Sequence, residues 1–203
     1  MRLNRDFYTR NTILVARELL GKILVYNDGE TTYKGKIVET EAYIGKKDDG
    51  SHFHMGLTDR TRIIDEPGGH IYIYTIYGIY LMFNIVAEEK GVHGAVLIRA
   101  IEPVEGIQKM YINRYKRPYG NPTRREIINL TNGPGKLVMA YGMTKKLYGA
   151  DLVTDQRIWV EDAKELALDE IVRSKRINID YAEMGKDYLL RYYIKDNPFV
   201  SKK

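Results

Sequence analysis

The chain has 203 residues, 44% of them hydrophobic, enough for a sizeable core and near the upper end of one ordinary domain. The absence of cysteine excludes disulfides, thiolate metal clusters and a cysteine nucleophile. Lys and Arg total 32 against 27 Asp and Glu, and this net charge of +5 favours attraction to a phosphate backbone. The polar start Met1–Asp6, with no apolar run near ~18 residues anywhere, predicts a soluble chain without an export signal.

In chain order, Asn11 and Thr12 offer an N-cap for a short helix stopped by Gly21. Lys22–Tyr26 reads as a strand, Asn27–Gly29 as a turn and Thr31–Tyr43 as a longer return strand. Ile44–Gly69 has no period and reads as a long loop, of a length that is usually functional or disordered. His70–Ile76 and Ile79–Val86 read as strands around a tight turn at Tyr77-Gly78, followed by Ala95–Ala100 as the third strand of a meander. Pro103 is placed to start a basic helix running through Tyr115, and Gly133-Pro134-Gly135-Lys136 opens another ending near Gly142. Arg157–Glu161 and Tyr188–Ile194 complete the sheet. No repeat or linker divides the chain, so the expectation is one α+β domain over 1–203, a curved, mostly antiparallel sheet with packed helices and a protruding hairpin.

Strand alternation puts Glu39, Glu41 and Tyr43 on one face, with carboxylates roughly 7 Å apart, a pairing suited to acid–base work or to a merely solvated face. The spacing does not choose between the two acids. His52 and His54, with Asp48 and Asp49 just before them, carry the residue types of a zinc or iron site, but on a loop they need not converge, and His52 also reads as a neutral pocket wall. Tyr72 and Tyr74 share one strand face, with Thr75 and Tyr77 on the other. The aromatic Tyr77 at a hairpin tip could enter a base stack as a wedge. The composition, with 17 Tyr against 4 Phe and 1 Trp, adds amphipathic aromatic surface. Gly133–Lys136 lacks the spacing of a nucleotide-triphosphate loop, although a helix start with Lys136 can hold one phosphate.

Together these blocks resemble the alkyladenine (3-methyladenine) DNA glycosylases. The resemblance runs through nearly the whole chain, in Leu20-Gly21-Lys22, Val38–Tyr43, Ser51-His52, Pro67–Asn84, Leu97–Pro103, Gly133–Leu137 and Arg191–Ser201. It implies that Glu41 activates the attacking water with help from Arg99. It also implies that Tyr43, His52 and Tyr74 stack on a flipped base, that Asn84 excludes guanine at the pocket edge, and that Tyr77 intercalates. The chain departs from the family's usual pattern at Ile63-Ile64-Asp65-Glu66, at Asn178 in place of glycine and at Leu190.

The expected activity is therefore hydrolysis of the N-glycosidic bond of alkylated or deaminated purines in double-stranded DNA. No lysine sits in the constellation to form a Schiff base, so base release alone is expected, with no cofactor and no metal, by a monomer away from membranes. The setting would be the nucleoid of a bacterium or the nucleus of a eukaryote. Two rivals remain from the residues alone. One is a metal-dependent hydrolase on Asp48, Asp49, His52 and His54; the other is a nucleic-acid-binding module in which Glu41 is idle.

Overall fold

Local signals account for the first elements. Asn4 and Asn11 each offer a side-chain oxygen to a first-turn N–H of a short helix, α1 (Arg5–Tyr8) and α2 (Thr12–Glu18). Gly21, at φ 84°, then turns the chain into β1 (Ile23–Asn27). The Asn27–Gly29 turn returns it along the 12-residue β2 (Thr32–Tyr43). In the computed structural model, which describes residues 1–202, the meander follows as β3 (Ile71–Ile76), β4 (Tyr80–Ala87) and β5 (Gly94–Glu105). Three helices, α3 (Ile107–Tyr115), α4 (Arg124–Ile128) and α5 (Pro134–Tyr141), precede β6 (Ile158–Glu161), β7 (Ile171–Ser174) and β8 (Arg191–Ile194).

The strands form one sheet in the order β3-β4-β5-β2-β1-β6, and every pairing is antiparallel. β2 is the organising strand. Its first half pairs with β1, and its second half, Glu39–Glu41, pairs with β8, which in turn carries β7. The β2–β5 register slips on either side of Glu39, because Ile37 faces Ile101, Glu39 faces Ala100 and Thr40 faces Ile98. Val38 is thus an extra residue on β2 and Arg99 an extra residue on β5. Such bulges bend a strand and re-aim side chains beside functional sites.

The sheet's two faces differ. One carries the main core, with Ile71, Phe83, Ile98 and Ile37 packed against α2 and α5. The other carries a smaller cluster of Phe53, Ile64, Tyr72, Val86 and Ala95. The α+β class therefore holds, and the loop between β2 and β3 is an ordered cover: Phe53 and Ile64 pin it to the sheet, with helical turns at Gly45–Lys47 and Arg62–Asp65.

Several boundaries need correction. Pro103 lies inside β5, not in a helix. It sits opposite Gly35, where the register with β2 also slips, a place that tolerates a residue without an N–H. Gly106, at φ 79°, then starts α3. Tyr188 precedes β8 rather than belonging to it. The helix α4, held by a Thr123–Glu126 capping box, and the strand β7 were not expected from periodicity.

Candidate active site

The second face of the sheet opens into a cavity of about 250 Å³, which Pro134 at the start of α5 also lines. Alternation explains its walls: β3 supplies Tyr72 and Tyr74, β4 supplies Met82 and Asn84, and β5 supplies Leu97 and Arg99. Loop residues His52 and Phe53 close one side, and the segment Ile177–Tyr181 closes another.

Tyr72 and Tyr74 stack with ring centroids 5.0 Å apart, and His52 meets Tyr74 edge-on at 4.6 Å. A ring nitrogen of His52 lies 3.3 Å from the Tyr72 hydroxyl. Burial lowers the pKa of His52, and the charge of Arg60 lowers it further, so the imidazole stays neutral at physiological pH. Burial pushes the Tyr72 phenol up to about 12 and raises Tyr74 as well, so both hydroxyls remain protonated. The cavity is thus lined by neutral aromatic rings, with Arg60 over the Tyr74 ring at 5.7 Å.

Asn84 donates both amide protons to backbone carbonyls, at 3.1 Å to Tyr72 and 3.3 Å to Met82. Among the described residues no donor reaches its Oδ1, so toward the cavity it can only accept a hydrogen bond.

Glu41 is fully buried and lies just behind the wall. Its carboxylate accepts three hydrogen bonds or ion contacts: the Tyr43 hydroxyl at 2.9 Å and Arg99 Nη1 at 3.3 Å on Oε2, and the Ile177 N–H at 2.8 Å on Oε1. All three donors belong to cavity-lining residues. Burial and the neighbouring Glu41 charge raise Tyr43 well above its usual range, so its hydroxyl stays a donor. Burial alone would weaken the Arg99 cation, but the charges of Glu41 and Glu39 outweigh it and raise its pKa.

Glu39 is fully buried too and is used differently. Its Oε1 accepts from Arg191 Nη1 at 2.7 Å, Ser201 Oγ at 2.9 Å and Arg99 Nε at 3.3 Å, while Oε2 accepts from the Ser201 N–H at 2.7 Å. A carboxylate offers about four acceptor directions. Glu39 takes four donors, three on Oε1 and one on Oε2, whereas Glu41 takes three, all from cavity-lining residues, and its Oε1 takes only the Ile177 N–H, so one of its directions stays open. The two acids do share a face, as alternation requires, and the bulged Arg99 reaches both.

Tyr77 occupies the hairpin tip. The Ile79 N–H donates to the Ile76 carbonyl at 3.2 Å across a turn in which Tyr77 and Gly78 have φ 51° and 70°. That is a type I′ turn, normally filled by Asn and Gly. Tyr77 is 76% exposed and still contributes to the cavity rim, because its left-handed backbone breaks the alternation expected to aim it at the opposite face.

Lys136 stands in the first turn of α5, its pKa lowered by burial and by nearby Arg114. Two of its protons are committed, to Asn132 Oδ1 at 2.8 Å and Asn129 Oδ1 at 3.1 Å.

The metal-site grouping is not assembled. Asp48 is fully buried in a two-pronged pair with Arg176, and Asp49 accepts from the N–H groups of Glu183, Met184 and Gly185. A His54 ring nitrogen faces the Lys46 carbonyl, while a His52 ring nitrogen faces the Tyr72 hydroxyl. Among the described residues no three His, Asp or Glu side chains gather as a metal would require. The segment around Arg176 is the part of the site that sequence reasoning missed. It has no periodicity, and its only signal, the acids at 48 and 49, fits the rival metal site equally well. Of the departures, Ile64 fills the small cluster, Asp65 pairs with His93, Leu190 is buried in the main core and Asn178, at φ 60°, lines the cavity.

The sequence profile of the family described as methylpurine-DNA glycosylase matches residues 6–198. A Clostridium perfringens protein named as a 3-methyladenine DNA glycosylase is 52% identical over 205 aligned residues, covering both chains fully. A Clostridium novyi protein of the same name is 53% identical, covering 100% of this chain and 99% of its own. One from Desulfitobacterium hafniense is 43% identical, again over nearly the full length of both.

Proposed function

The chain belongs to the methylpurine-DNA glycosylase family and is a DNA repair glycosylase, and from that premise we propose that it flips 3-methyladenine, and also hypoxanthine, out of double-stranded DNA and hydrolyses the bond to deoxyribose. The observation that carries this reading is the Glu41 carboxylate, held by three donors with one acceptor direction free, directly behind an aromatic cavity.

Breaking the N-glycosidic bond develops oxocarbenium-like charge on the sugar. Glu41 accepts the proton of the attacking water and stabilises that charge, and Arg99 fixes the carboxylate. Because Glu41 lies behind Tyr43, Arg99 and Ile177, entry of the nucleotide must open a path between them, and tightening on substrate is usual for such sites. An alkylated purine is already cationic. The faces of Tyr43 and Tyr74 attract it, and neutral His52 adds no opposing charge. Hypoxanthine departs only with added protonation and is expected to react more slowly. The acceptor Oδ1 of Asn84 stands at the edge where guanine's extra amine would need room. Tyr77 fills the gap left in the stack, and the start of α5 with Lys136 meets a phosphate.

Among the described residues no lysine lines the cavity, so the product is an abasic site without strand cleavage. The chain acts as one domain and a monomer, without a metal. Among the described residues no helix is long and apolar enough to cross a membrane, and the nucleoid is the proposed setting.

The test is release of free base from duplexes carrying 3-methyladenine or hypoxanthine, with EDTA present, for wild type and Glu41→Gln. Wild type should release base, and Glu41→Gln should bind the duplex with a rate lower by at least about a hundredfold, within the range of general-base catalysis. DNA binding without release by wild type would leave a binding module instead.

A further inference from the structure

We propose that the buried Asp48–Arg176 ion pair is a positioning device for Glu41, fixing the carboxylate so that its free acceptor direction meets the attacking water; this rests on the reading of Glu41 as the base. Arg176 Nη1 and Nη2 bind Asp48 Oδ2 and Oδ1 at 2.6 and 2.5 Å, with both side chains fully buried. From that fixed point Arg176 reaches three parts of the Glu41 environment. Its Nη1 donates to the carbonyl of Ala42 at 3.0 Å, gripping β2 between Glu41 and Tyr43. Its guanidinium lies 4.6 Å from the Tyr43 ring centroid, and since Arg176 does not line the cavity it supports the ring from behind. The next residue, Ile177, gives its N–H to Glu41 Oε1 at 2.8 Å.

The surroundings are shaped for this pair. A Cβ on Gly50 would lie 2.8 Å from Arg176 Nη2, and one on Gly185 would lie 2.7 Å from Asp48 Oδ1, so glycine at both positions lets the chain close around it. Asp49 accepts the Glu183, Met184 and Gly185 N–H groups, and the Tyr181 hydroxyl donates to the Gly50 carbonyl at 2.8 Å. A buried ion pair adds little stability over apolar packing. A two-pronged arginine–carboxylate pair does fix direction, and fixed direction is what a general base needs.

The experiment measures single-turnover base release and duplex affinity for wild type, Glu41→Gln, Asp48→Asn, Arg176→Lys and Asp49→Ala at a temperature where each is folded. Asp48→Asn and Arg176→Lys should slow release by about ten- to a hundredfold, with affinity within about threefold of wild type, the signature of a misplaced catalytic group. Release at the wild-type rate, or rate and affinity falling by the same factor, overturns the proposal. Should Asp48→Asn fail to fold, Asp49→Ala decides, since it loosens the same segment without stranding a buried cation. It should slow release by about threefold or more at unchanged affinity, and an unchanged rate counts against the pair. Glu41→Gln separates the two readings. If it still releases base, the base assignment falls. If it is inactive while the Asp48, Arg176 and Asp49 variants run at the wild-type rate, only the positioning role falls.

Discussion

Glu39 and Glu41 stand two residues apart on β2, and the donors each has collected determine what each can do. With two arginines and both polar groups of Ser201 on it, Glu39 is a structural anion. Glu39→Gln should therefore act mainly on stability, at about 3 kcal/mol, the lower end of the cost of breaking a buried ion pair because the amide keeps some acceptor capacity. Denaturant unfolding would show this, while base release well below the melting temperature should fall far less than for Glu41→Gln. His52 makes a prediction in pH. Burial lowers its pKa below the usual 6.5, so the unfolded chain binds more protons than the folded one as pH drops beneath that value. The resulting stability is fully present above 6.5 and is lost as pH falls through the lower folded pKa. The loss is modest because His52 is itself an exposed residue, so solvent screens much of the effect. Unfolding free energy measured from pH 7 to pH 5 should decline more steeply for wild type than for His52→Gln. Equal slopes would show that His52 is not held neutral.

Among the elements, the β3–β4 hairpin carries a locally costly turn that the proposed wedge role of Tyr77 accounts for. A tyrosine in the left-handed position of a type I′ turn costs about 1 kcal/mol relative to glycine, and at Tyr77 that cost leaves an aromatic ring 76% exposed. Tyr77→Gly is expected to hold or raise thermal stability while slowing base release from a well-paired duplex more than from a mismatched one, where unstacking is already cheap. Equal effects on both duplexes would remove the wedge role. This hairpin was legible in the sequence, because period-2 alternation and Gly78 mark its strands and tip. The placement of Glu39, Glu41 and Tyr43 on one face was legible for the same reason. The bulges at Val38 and Arg99 were not, since an extra residue shows only once β2 and β5 have paired. Pro103 was misread because proline marks helix starts and sheet irregularities alike. The closing segment from Arg176 to Gly185 was opaque for a third reason: its anchors, Asp48 and Asp49, lie about 130 residues away in sequence, and nothing local encodes where it lands.

Over the whole molecule, four buried charges, Glu39, Glu41, Arg99 and Arg191, form one connected cluster that ties β2, β5, β8 and Ser201 together, while the hairpin tip stands outside it. Ser201 reaches Glu39 across 162 positions of sequence, so this contact reports on tertiary assembly rather than on any one element. Ser201→Ala removes the hydroxyl bond to a buried carboxylate and should cost about 1.5–2 kcal/mol, as hydrogen bonds to charged groups do. Coupling then follows the map of contacts. Ser201→Ala combined with Glu39→Gln should cost less than the sum of the single changes by about 1 kcal/mol, because both disturb the same carboxylate. Combined with Tyr77→Gly, which shares no partner with it, the same change should be additive within about 0.5 kcal/mol. Denaturant unfolding of the three single and two double variants tests both halves of this expectation. Additivity in the Glu39 pair would mean that Ser201 stabilises the chain independently of the charge cluster, whereas coupling confined to that pair would show β2 and the distant Ser201 segment folding as one cooperative unit.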